Sequence, residues 1–375
     1  MRTVKATAAA LTAVLAAGAA SVAAGRLASD AALKAPAGRP LPTEPRLTVH
    51  ATAAGRITLT RDLASLRPGT YGLAGDGSHA VVGAVLESAE RSADTVVRRL
   101  ERVTHGALGP GDAVWLTPNV YVGNPSGALG LEHADVDVPG ELGSLPAWFV
   151  PGQRDTWVIA VHGLGATREH TMNVMRFLHE RRLPVLALAY RGDLGAPRPP
   201  DGLNHLGETE WRDVDAAIRY AVRYGAARVV LLGWSTGATM ALRTVEHSPV
   251  RERVVGLVLD SPVLDWEATV RALARAHHTP GPLLPLAVRA AQGRTGLSAD
   301  QVAGPADPAP PPVPTLIFHG PDDTVAPWEY SRRLAARHPD RVALHTVAQA
   351  SHAAMWNVDP EEYEERLRRF LIPLM

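Results

Sequence analysis

Short apolar runs alternate with amphipathic stretches from about residue 136 to the end of the chain. The runs are uninterrupted, which is typical of strands buried on both faces, and the stretches between them carry apolar residues at spacings of three and four. The predicted strands are 156–163, 184–190, 227–233, 254–260, 314–320 and 341–347, and the predicted helices are 168–181, 208–224, 238–247, 329–337 and 360–370. This alternation predicts an α/β fold, with a mostly parallel sheet covered by helices on both faces.

Two other segments belong to the same region of the chain. Residues 136–150 alternate around a turn at Gly140, which predicts a hairpin at the start of the sheet. Residues 263–313 are too long for a simple connection and end in a proline-rich run, so we interpret them as a helical cap over the sheet edge. Right-handed crossovers place the carboxyl ends of parallel strands along one edge, where ligand sites lie in such sheets.

The pattern is different before residue 136. Residues 47–135 hold short alternating runs separated by Gly, Pro and Asp, which predict a small β-rich accessory region with a helix at about 93–103. This region shows no chemical motif, so its role stays open. Residues 26–46 contain four prolines and little hydrophobic pattern, and we predict that they form a linker.

The composition of the first 25 residues predicts export. An uncharged stretch, 6–25, lies between Lys5 and Arg26 and is long enough to span a bilayer, although its many Ala and Gly residues make insertion marginal. Small residues at 22–24 suit a signal peptidase. We expect residues 1–25 to be a cleaved signal peptide or a retained membrane anchor, which makes the protein secreted or membrane-tethered outside the cytoplasm. A flexible alanine-rich tail is the alternative.

Composition narrows the classes of function. The 375 residues are 46% hydrophobic, which is ample for a buried core, and they include 38 basic and 38 acidic residues. This balance gives no electrostatic reason to expect a nucleic-acid partner. The chain has no cysteine, which excludes disulfides, a thiolate nucleophile and cysteine-based zinc sites.

A serine flanked by glycines lies at the junction of a predicted strand and a predicted helix. Gly233, Ser235 and Gly237 follow the apolar run 227–233 directly. A serine at such a turn is held in a strained conformation with its hydroxyl exposed, and side chains in place of the glycines would collide with the neighbouring strand and helix. The helix N-terminus directs backbone N–H groups toward the serine, which suits a developing oxyanion. Ser235 is therefore the candidate nucleophile.

A serine hydroxyl needs a base, and the base needs a carboxylate that orients it. His352 follows the last predicted strand and therefore lies at the same sheet edge as Ser235. The stretch HGPDDTVAP follows strand 314–320 and offers Asp322 and Asp323. We expect Asp323 to orient His352, Asp322 to form the turn, and His319 to support that turn.

An oxyanion needs two backbone donors. The residue after the nucleophile, Thr236, is one candidate, and Leu164 in the HGLG stretch after the first core strand is the other. Gly163 and Gly165 would let the backbone approach a substrate closely, and His162 completes the motif.

Four motifs in this order, HGLG, GWSTG, HGPDDTVAP and SHAAMW, resemble the serine-hydrolase branch of the α/β-hydrolase superfamily over about residues 136–375. The Ser–Asp–His chain order is the order of that superfamily. The resemblance implies an α/β-hydrolase fold with an eight-stranded sheet, and acyl transfer through a serine ester without a metal or organic cofactor. The loop AYRGDLGAP at 189–197 is similar to a loop of esterase-like and peptidase-like members and would line the pocket. Trp234, before the serine, departs from the usual pattern and is expected to narrow the site.

These observations predict a serine hydrolase acting on a small-molecule ester or a peptide. We expect carboxylic ester hydrolysis, although the same triad cleaves peptides and the pocket decides between the two. An aminopeptidase would need a carboxylate for the peptide amino terminus, and Glu208, Glu210 and Asp193 are candidates. A non-catalytic binding protein of the same fold is a third interpretation. The acyl group, the leaving group and the oligomeric state stay open.

Overall fold

The computed structural model describes residues 22–34, 36–86, 92–296 and 310–375. Six antiparallel strands near its beginning close into a barrel, with the order β1-β2-β5-β4-β3-β6 and β6 paired back to β1. The strands are β1 Leu47–Ala53, β2 Arg56–Thr60, β3 Tyr71–Gly75, β4 Ser78–Val85, β5 Thr95–His105 and β6 Ala113–Thr117. The β-rich accessory region is therefore a small closed barrel, which leaves no strand edge unpaired.

The helix predicted at about 93–103 is wrong, because these residues form most of β5. Val96 and Arg98 are buried while Arg99 is exposed, so the strand alternates with a period of two. A charged residue at an inward position interrupts the apolar alternation, and this is why the strand pattern is hard to recognise.

Arg98 is fully buried and binds four backbone carbonyl groups. Its Nε donates to Gly83 at 2.9 Å, its Nη1 to Ser65 at 3.0 Å and Arg67 at 2.7 Å, and its Nη2 to Gly69 at 2.9 Å. Burial lowers the pKa of Arg98 to about 10, so the guanidinium stays charged at neutral pH. Arg98 therefore ties the loop before β3 to the barrel wall.

Eight strands form the central sheet, in the order β14-β13-β12-β11-β9-β10-β8-β7. They are β7 Ala134–Pro139, β8 Ser144–Val150, β9 Thr156–Val161, β10 Val185–Leu188, β11 Arg228–Trp234, β12 Val254–Asp260, β13 Thr315–His319 and β14 Val342–Thr346. The hairpin β7–β8 is antiparallel and pairs antiparallel with β10, whereas the pairs from β10 to β14 are parallel. The predicted hairpin and mostly parallel sheet are confirmed.

Helices cover both faces of this sheet. The helices of the described residues are α1 at 22–33, α2 Pro125–Leu129, α3 Met172–Glu180, α4 Trp211–Arg223, α5 Thr236–His247, α6 Trp266–Ala276, α7 Leu284–Thr295, α8 Glu329–Arg337, α9 Met355–Val358 and α10 Pro360–Leu371. Of these, α1, α6 and α7 pack with one another in clusters separate from the two sheet faces. A 3₁₀ turn, Arg168–Thr171, leads into α3. Side chains of β9 alternate between two buried clusters, one shared with α3 and α10 and the other with α4, α5 and α8. Burial on both faces explains why the parallel strands are uniformly apolar.

The segment predicted as a linker, 26–46, is partly helical. Helix α1 runs to residue 33, and its Ala32 and Leu33 are 1% exposed and pack in a cluster with Trp266 and Leu164. The alanine-rich stretch before the first proline favours a helix, and the apolar residues near its end lie on one side of it. The linker prediction is therefore wrong for residues 26–33, which pack against the cap and the HGLG loop.

The cap predicted at 263–313 contains α6 and α7, while residues 297–309 lie outside the described residues. The proposed signal or anchor, 1–25, also lies outside them except for residues 22–25, which belong to α1. Within the described ranges, no helix is both long enough and apolar enough to cross a membrane. Export therefore stays a prediction from the sequence.

We expect Arg98→Ala to destabilise the folded protein by about 3 kcal/mol or more, because it leaves buried carbonyl groups without donors. The matched control is Arg99→Ala, at the next position of the same strand, where the side chain is 60% exposed. Chemical denaturation of both variants measures the difference. Equal stability of the two variants would contradict the structural role given to Arg98.

Candidate active site

Ser235 lies on a sharp turn between β11 and α5, with φ 54° and ψ −120°. This region is disfavoured for a residue with a side chain, so surrounding contacts must hold it. A Cβ atom on Gly233 would lie 2.4 Å from the carbonyl oxygen of Gly237, and one on Gly237 would lie 2.2 Å from that of Val161. The N–H of Ser235 donates to the carbonyl of Asp260 at 2.8 Å. Both glycines are thus required by close backbone packing.

The structure brings Ser235, His352 and Asp323 together. The Nε2 atom of His352 lies 2.7 Å from Oγ of Ser235, and its Nδ1 atom lies 2.8 Å from Oδ2 of Asp323. When Nδ1–H donates to the carboxylate, Nε2 is left as the acceptor for the serine hydroxyl. The three side chains come from loops after β11, β13 and β14, which meet at one edge of the sheet.

Asp323 is held as a carboxylate by its surroundings. Its side chain is fully buried, which alone would raise its pKa, but the neighbouring His352 and His319 hold the pKa well below its ordinary value. Oδ1 accepts hydrogen bonds from the N–H groups of Val325 and Ala326, both at 2.9 Å, and Oδ2 lies 3.1 Å from Nε2 of His319. This carboxylate therefore stays ionised throughout the neutral range.

Asp322 and His319 hold the loops that carry the other residues. Oδ2 of Asp322 accepts a hydrogen bond at 2.7 Å from the N–H of Gln349, in the loop before His352. The ring of His319 bonds Ser331 through Nδ1 at 2.8 Å, in addition to its contact with Asp323. Both side chains therefore hold these loops in place through hydrogen bonds.

The candidate oxyanion donors lie beside the serine. Thr236 is the first residue of α5, so its N–H has no partner within the helix. Leu164 lines the same cavity as Ser235, and Gly163 packs so closely that a Cβ atom on it would lie 2.6 Å from Cβ of Ser235. Gly165 adopts φ 75°, which favours glycine. The assignment of Thr236 and Leu164 as oxyanion donors stays a prediction.

The side chain of His162 packs against the 189–197 loop. Nε2 of His162 lies 2.9 Å from Oδ2 of Asp193, and the imidazole stacks on Tyr190 with ring centroids 4.7 Å apart. Arg191 is turned inward, where it forms a bidentate ion pair with Asp213 at 2.6 and 2.9 Å. The loop lines a second cavity of about 460 Å³ that shares Leu164 with the first.

Trp234 does not narrow the site, contrary to expectation. Its side chain is 1% exposed and belongs to the apolar core beneath the turn, with its ring centroid 4.9 Å from that of His170. Because successive strand residues point to opposite faces, the residue before the serine points into the core.

Two buried residues at the end of β12 also contact the site, and sequence reasoning missed them. Oγ of Ser261 donates to Asp260 at 2.9 Å and accepts from the N–H of Ala353 at 2.9 Å. Because the carbonyl of Asp260 also accepts from Ser235, this pair connects the serine turn to the histidine loop. Burial raises the pKa of Asp260 to about 7. The available signal was a charged residue at the end of the apolar run 254–260.

A third missed residue is His170, which lines the cavity beside Ser235. Burial lowers the pKa of His170 to about 3, so the ring is neutral at physiological pH. It lies in the 3₁₀ turn that follows the HGLG loop.

Comparison with known proteins places this geometry in a family. A family model described as the alpha/beta hydrolase family matches residues 158–366. The chain belongs to the alpha/beta hydrolase family. A second model, described as a domain of unknown function (DUF8805), matches residues 48–117, which is almost the whole barrel.

Among solved structures, this alpha/beta hydrolase is similar to the esterase Pf2001 of Pyrococcus furiosus. In its P212121 crystal form the TM-score is 0.55 at 25% identity, covering 67% of this chain and 94% of that one. In the P21 form the TM-score is 0.53 at 23% identity, covering 67% and 96%.

Curated relatives are the proteins named "Uncharacterized protein YfhR". The protein from Escherichia coli O157:H7 is 24% identical over 237 residues, which are 61% of this chain and 76% of that protein. The protein from Salmonella typhimurium LT2 is 26% identical over 206 residues, or 51% of this chain and 64% of that protein. The printed names of these relatives state no activity.

The raised pKa of Asp260 predicts a pH-dependent stability difference between the wild type and Asp260→Asn. Between the ordinary value of 3.8 and about 7, the folded protein keeps this proton while the unfolded chain releases it. The wild-type contribution is therefore full at low pH and is lost as the pH rises through this window. Thermal unfolding of both proteins from about pH 4 to about pH 8 tests this, since the wild type should lose stability relative to the variant. A pH-independent difference would exclude the assignment.

Proposed function

We propose that the protein is a serine hydrolase that cleaves carboxylic esters, with Ser235 as nucleophile, His352 as general base and Asp323 as the residue that orients the base. The observation that carries this proposal is the unbroken hydrogen-bond chain through the imidazole, with distances of 2.7 and 2.8 Å. A serine hydroxyl bonded to a neutral, oriented imidazole is the arrangement that activates it for attack. The fold it shares with an enzyme named as an esterase supports ester substrates.

The first half of the reaction forms an acyl-enzyme. Oγ of Ser235 attacks the ester carbonyl carbon while Nε2 of His352 takes the hydroxyl proton. The carbonyl electrons move onto oxygen, and the N–H groups of Leu164 and Thr236 donate to that oxyanion. The intermediate then breaks the bond to the alcohol oxygen, which receives the proton from His352.

The second half releases the acid. Water attacks the acyl carbon as His352 takes one of its protons, and the same donors bind the second oxyanion. Breaking the bond to Oγ returns the proton to Ser235 and frees the carboxylic acid. Asp323 remains ionised and stabilises the imidazolium at each stage, consistent with the direction of its pKa shift.

The carboxylates considered for an aminopeptidase all have internal partners. Glu208 forms an ion pair with Arg243 at 2.9 Å. Glu210 is fully buried and accepts from backbone N–H groups of its own turn. Asp193 is bound to His162 at 2.9 Å. Their engagement favours an ester over a peptide with a free amino terminus.

Ser235→Ala should lower ester turnover by about a thousandfold or more, because the covalent route is lost while the fold is kept. It should also abolish labelling by a fluorophosphonate probe. Ser144→Ala is the matched control, since Ser144 is an exposed serine at the start of β8. The assay uses p-nitrophenyl esters beside aminoacyl anilides, with thermal unfolding to confirm folding.

Three outcomes distinguish the interpretations. Ester turnover that depends on Ser235 supports the proposal, whereas faster cleavage of the anilides favours a peptidase. Wild-type protein that neither reacts with the probe nor hydrolyses any substrate favours a non-catalytic binding protein.

A further inference from the structure

The alpha/beta hydrolase domain does not enclose the cavity at Ser235 by itself. The cavity has a volume of about 140 Å³, and Ser235 and His352 lie in its wall. A second part of the wall is the segment 38–44, where the N–H of Gly38 donates to the carbonyl of Gly165 at 2.9 Å. The third part comes from the barrel and the residues just after it: Ala74, His79, Trp115, Leu116, Thr117, Pro118, Asn119 and Val122.

The barrel is fixed to the hydrolase domain by specific hydrogen bonds. The side-chain amide of Asn357 donates to the carbonyls of Thr70 at 2.8 Å and Pro118 at 3.0 Å, and the N–H of Thr70 donates back to the carbonyl of Asn357 at 2.8 Å. Asn173 also donates to Pro118, at 2.8 Å. A Cβ atom on Gly69 would lie 2.1 Å from the Asn357 carbonyl oxygen, so the two backbones are in direct contact. The barrel wall is therefore held in a defined position.

The same docking surface includes the loop that carries the general base. Ala354 is fully buried and belongs to the apolar cluster of the barrel interior, two residues after His352. Asn357 lies in α9, immediately after that loop. The barrel thus contacts the chain on which His352 depends.

Trp115 is the large side chain that the barrel places in the cavity wall. On strand β6, Val114 and Leu116 belong to the apolar cluster inside the barrel, and Trp115 between them belongs to the opposite face. Its side chain is 8% exposed and lines the cavity. The indole is the largest of the side chains that the barrel contributes to the cavity wall.

The remaining lining is mainly apolar, with charged side chains in it from Arg39, Glu44 and Glu169. Glu44 is paired with Arg67 at 2.7 Å, and Glu169 accepts from the N–H of Gly123 at 2.7 Å. Leu41, Val122 and Ala166 contribute apolar surface. His79 and His170 also line the cavity, and burial lowers the pKa of both, so neither ring carries a charge at neutral pH. A cavity of this volume holds a group of about the size of a benzene ring.

We propose that the barrel forms the specificity wall of the active site, and that the indole of Trp115 limits the length of the ester chain that can bind beside Ser235. This inference rests on the proposed esterase function. It assigns the barrel a role in selecting short, uncharged, apolar ester chains, in either the acyl or the alcohol part.

The test compares Trp115→Ala and Trp115→Phe with Val114→Ala, which shortens the neighbouring side chain inside the barrel. The measured quantity is kcat/KM for two substrate series. One series varies the acyl chain, from p-nitrophenyl acetate through butyrate to octanoate, and the other varies the alcohol of acetate esters from ethyl to octyl. A ratio of long to short substrates is insensitive to a uniform loss of active protein.

Wild-type enzyme should prefer short chains. Trp115→Ala should raise the ratio of long to short by about tenfold or more in one series, because pocket contacts discriminate chain lengths by this order. That series identifies which part of the ester occupies the cavity. Trp115→Phe should give a smaller shift in the same direction, and Val114→Ala should leave both ratios unchanged.

Unchanged ratios in both series for folded Trp115 variants would overturn the inference and leave the esterase proposal intact. If Trp115→Ala does not fold, the Phe variant decides, because it keeps an aromatic ring in the wall. Failure of the esterase proposal has a different signature, since the wild-type protein would then hydrolyse none of the esters or would cleave aminoacyl anilides faster.

Discussion

Both ring nitrogens of His352 are hydrogen-bonded, and the geometry of the site depends on which partner each nitrogen has. Nε2 can accept the serine proton only while Nδ1–H is donated elsewhere, so a permanent acceptor must face Nδ1. Asp323 fills this place because two backbone N–H groups and a second histidine keep it ionised in a buried position. The turn formed by the 319–327 stretch therefore supplies the N–H donors that stabilise a buried carboxylate beside His352.

This arrangement of hydrogen bonds also requires three loops to hold their positions, and specific contacts hold each of them. The serine turn is held by close glycine packing and by a hydrogen bond to the end of β12. The histidine loop is held by Ser261 on one side and by Asp322 on the other. Asn357 and Ala354 add contacts to the barrel just after the loop. The barrel and the hydrolase domain therefore meet directly beside the histidine loop.

The sequence predicts the sheet and the triad well because both depend on local constraints. A strand buried on both faces, such as 254–260, is apolar almost throughout. At the turn of Ser235 the neighbouring backbones come so close that positions 233 and 237 have no room for a side chain. Features that depend on distant contacts were missed. Arg98 interrupts the strand pattern of β5, and the carbonyl groups that explain its burial lie far away along the chain. Nothing in the sequence around Trp115 indicates that its side chain lines a cavity. Helix α1 was missed because prolines after it suggested a linker.

Two buried carboxylates lie at neighbouring strand ends, and their position in the fold does not by itself determine which of them is ionised. Asp260 ends β12 and Asp323 follows β13, so both lie at the edge where Ser235 lies. Two anions so close in a buried setting are costly unless hydrogen bonds stabilise each one. Asp323 has several such donors, whereas the hydroxyl of Ser261 is the donor to Asp260, whose pKa rises to about 7. The environment therefore separates the two carboxylates. Asp323 stays ionised beside His352, whereas Asp260 remains largely protonated below neutrality and accepts from Ser261, whose hydroxyl also bonds the histidine loop.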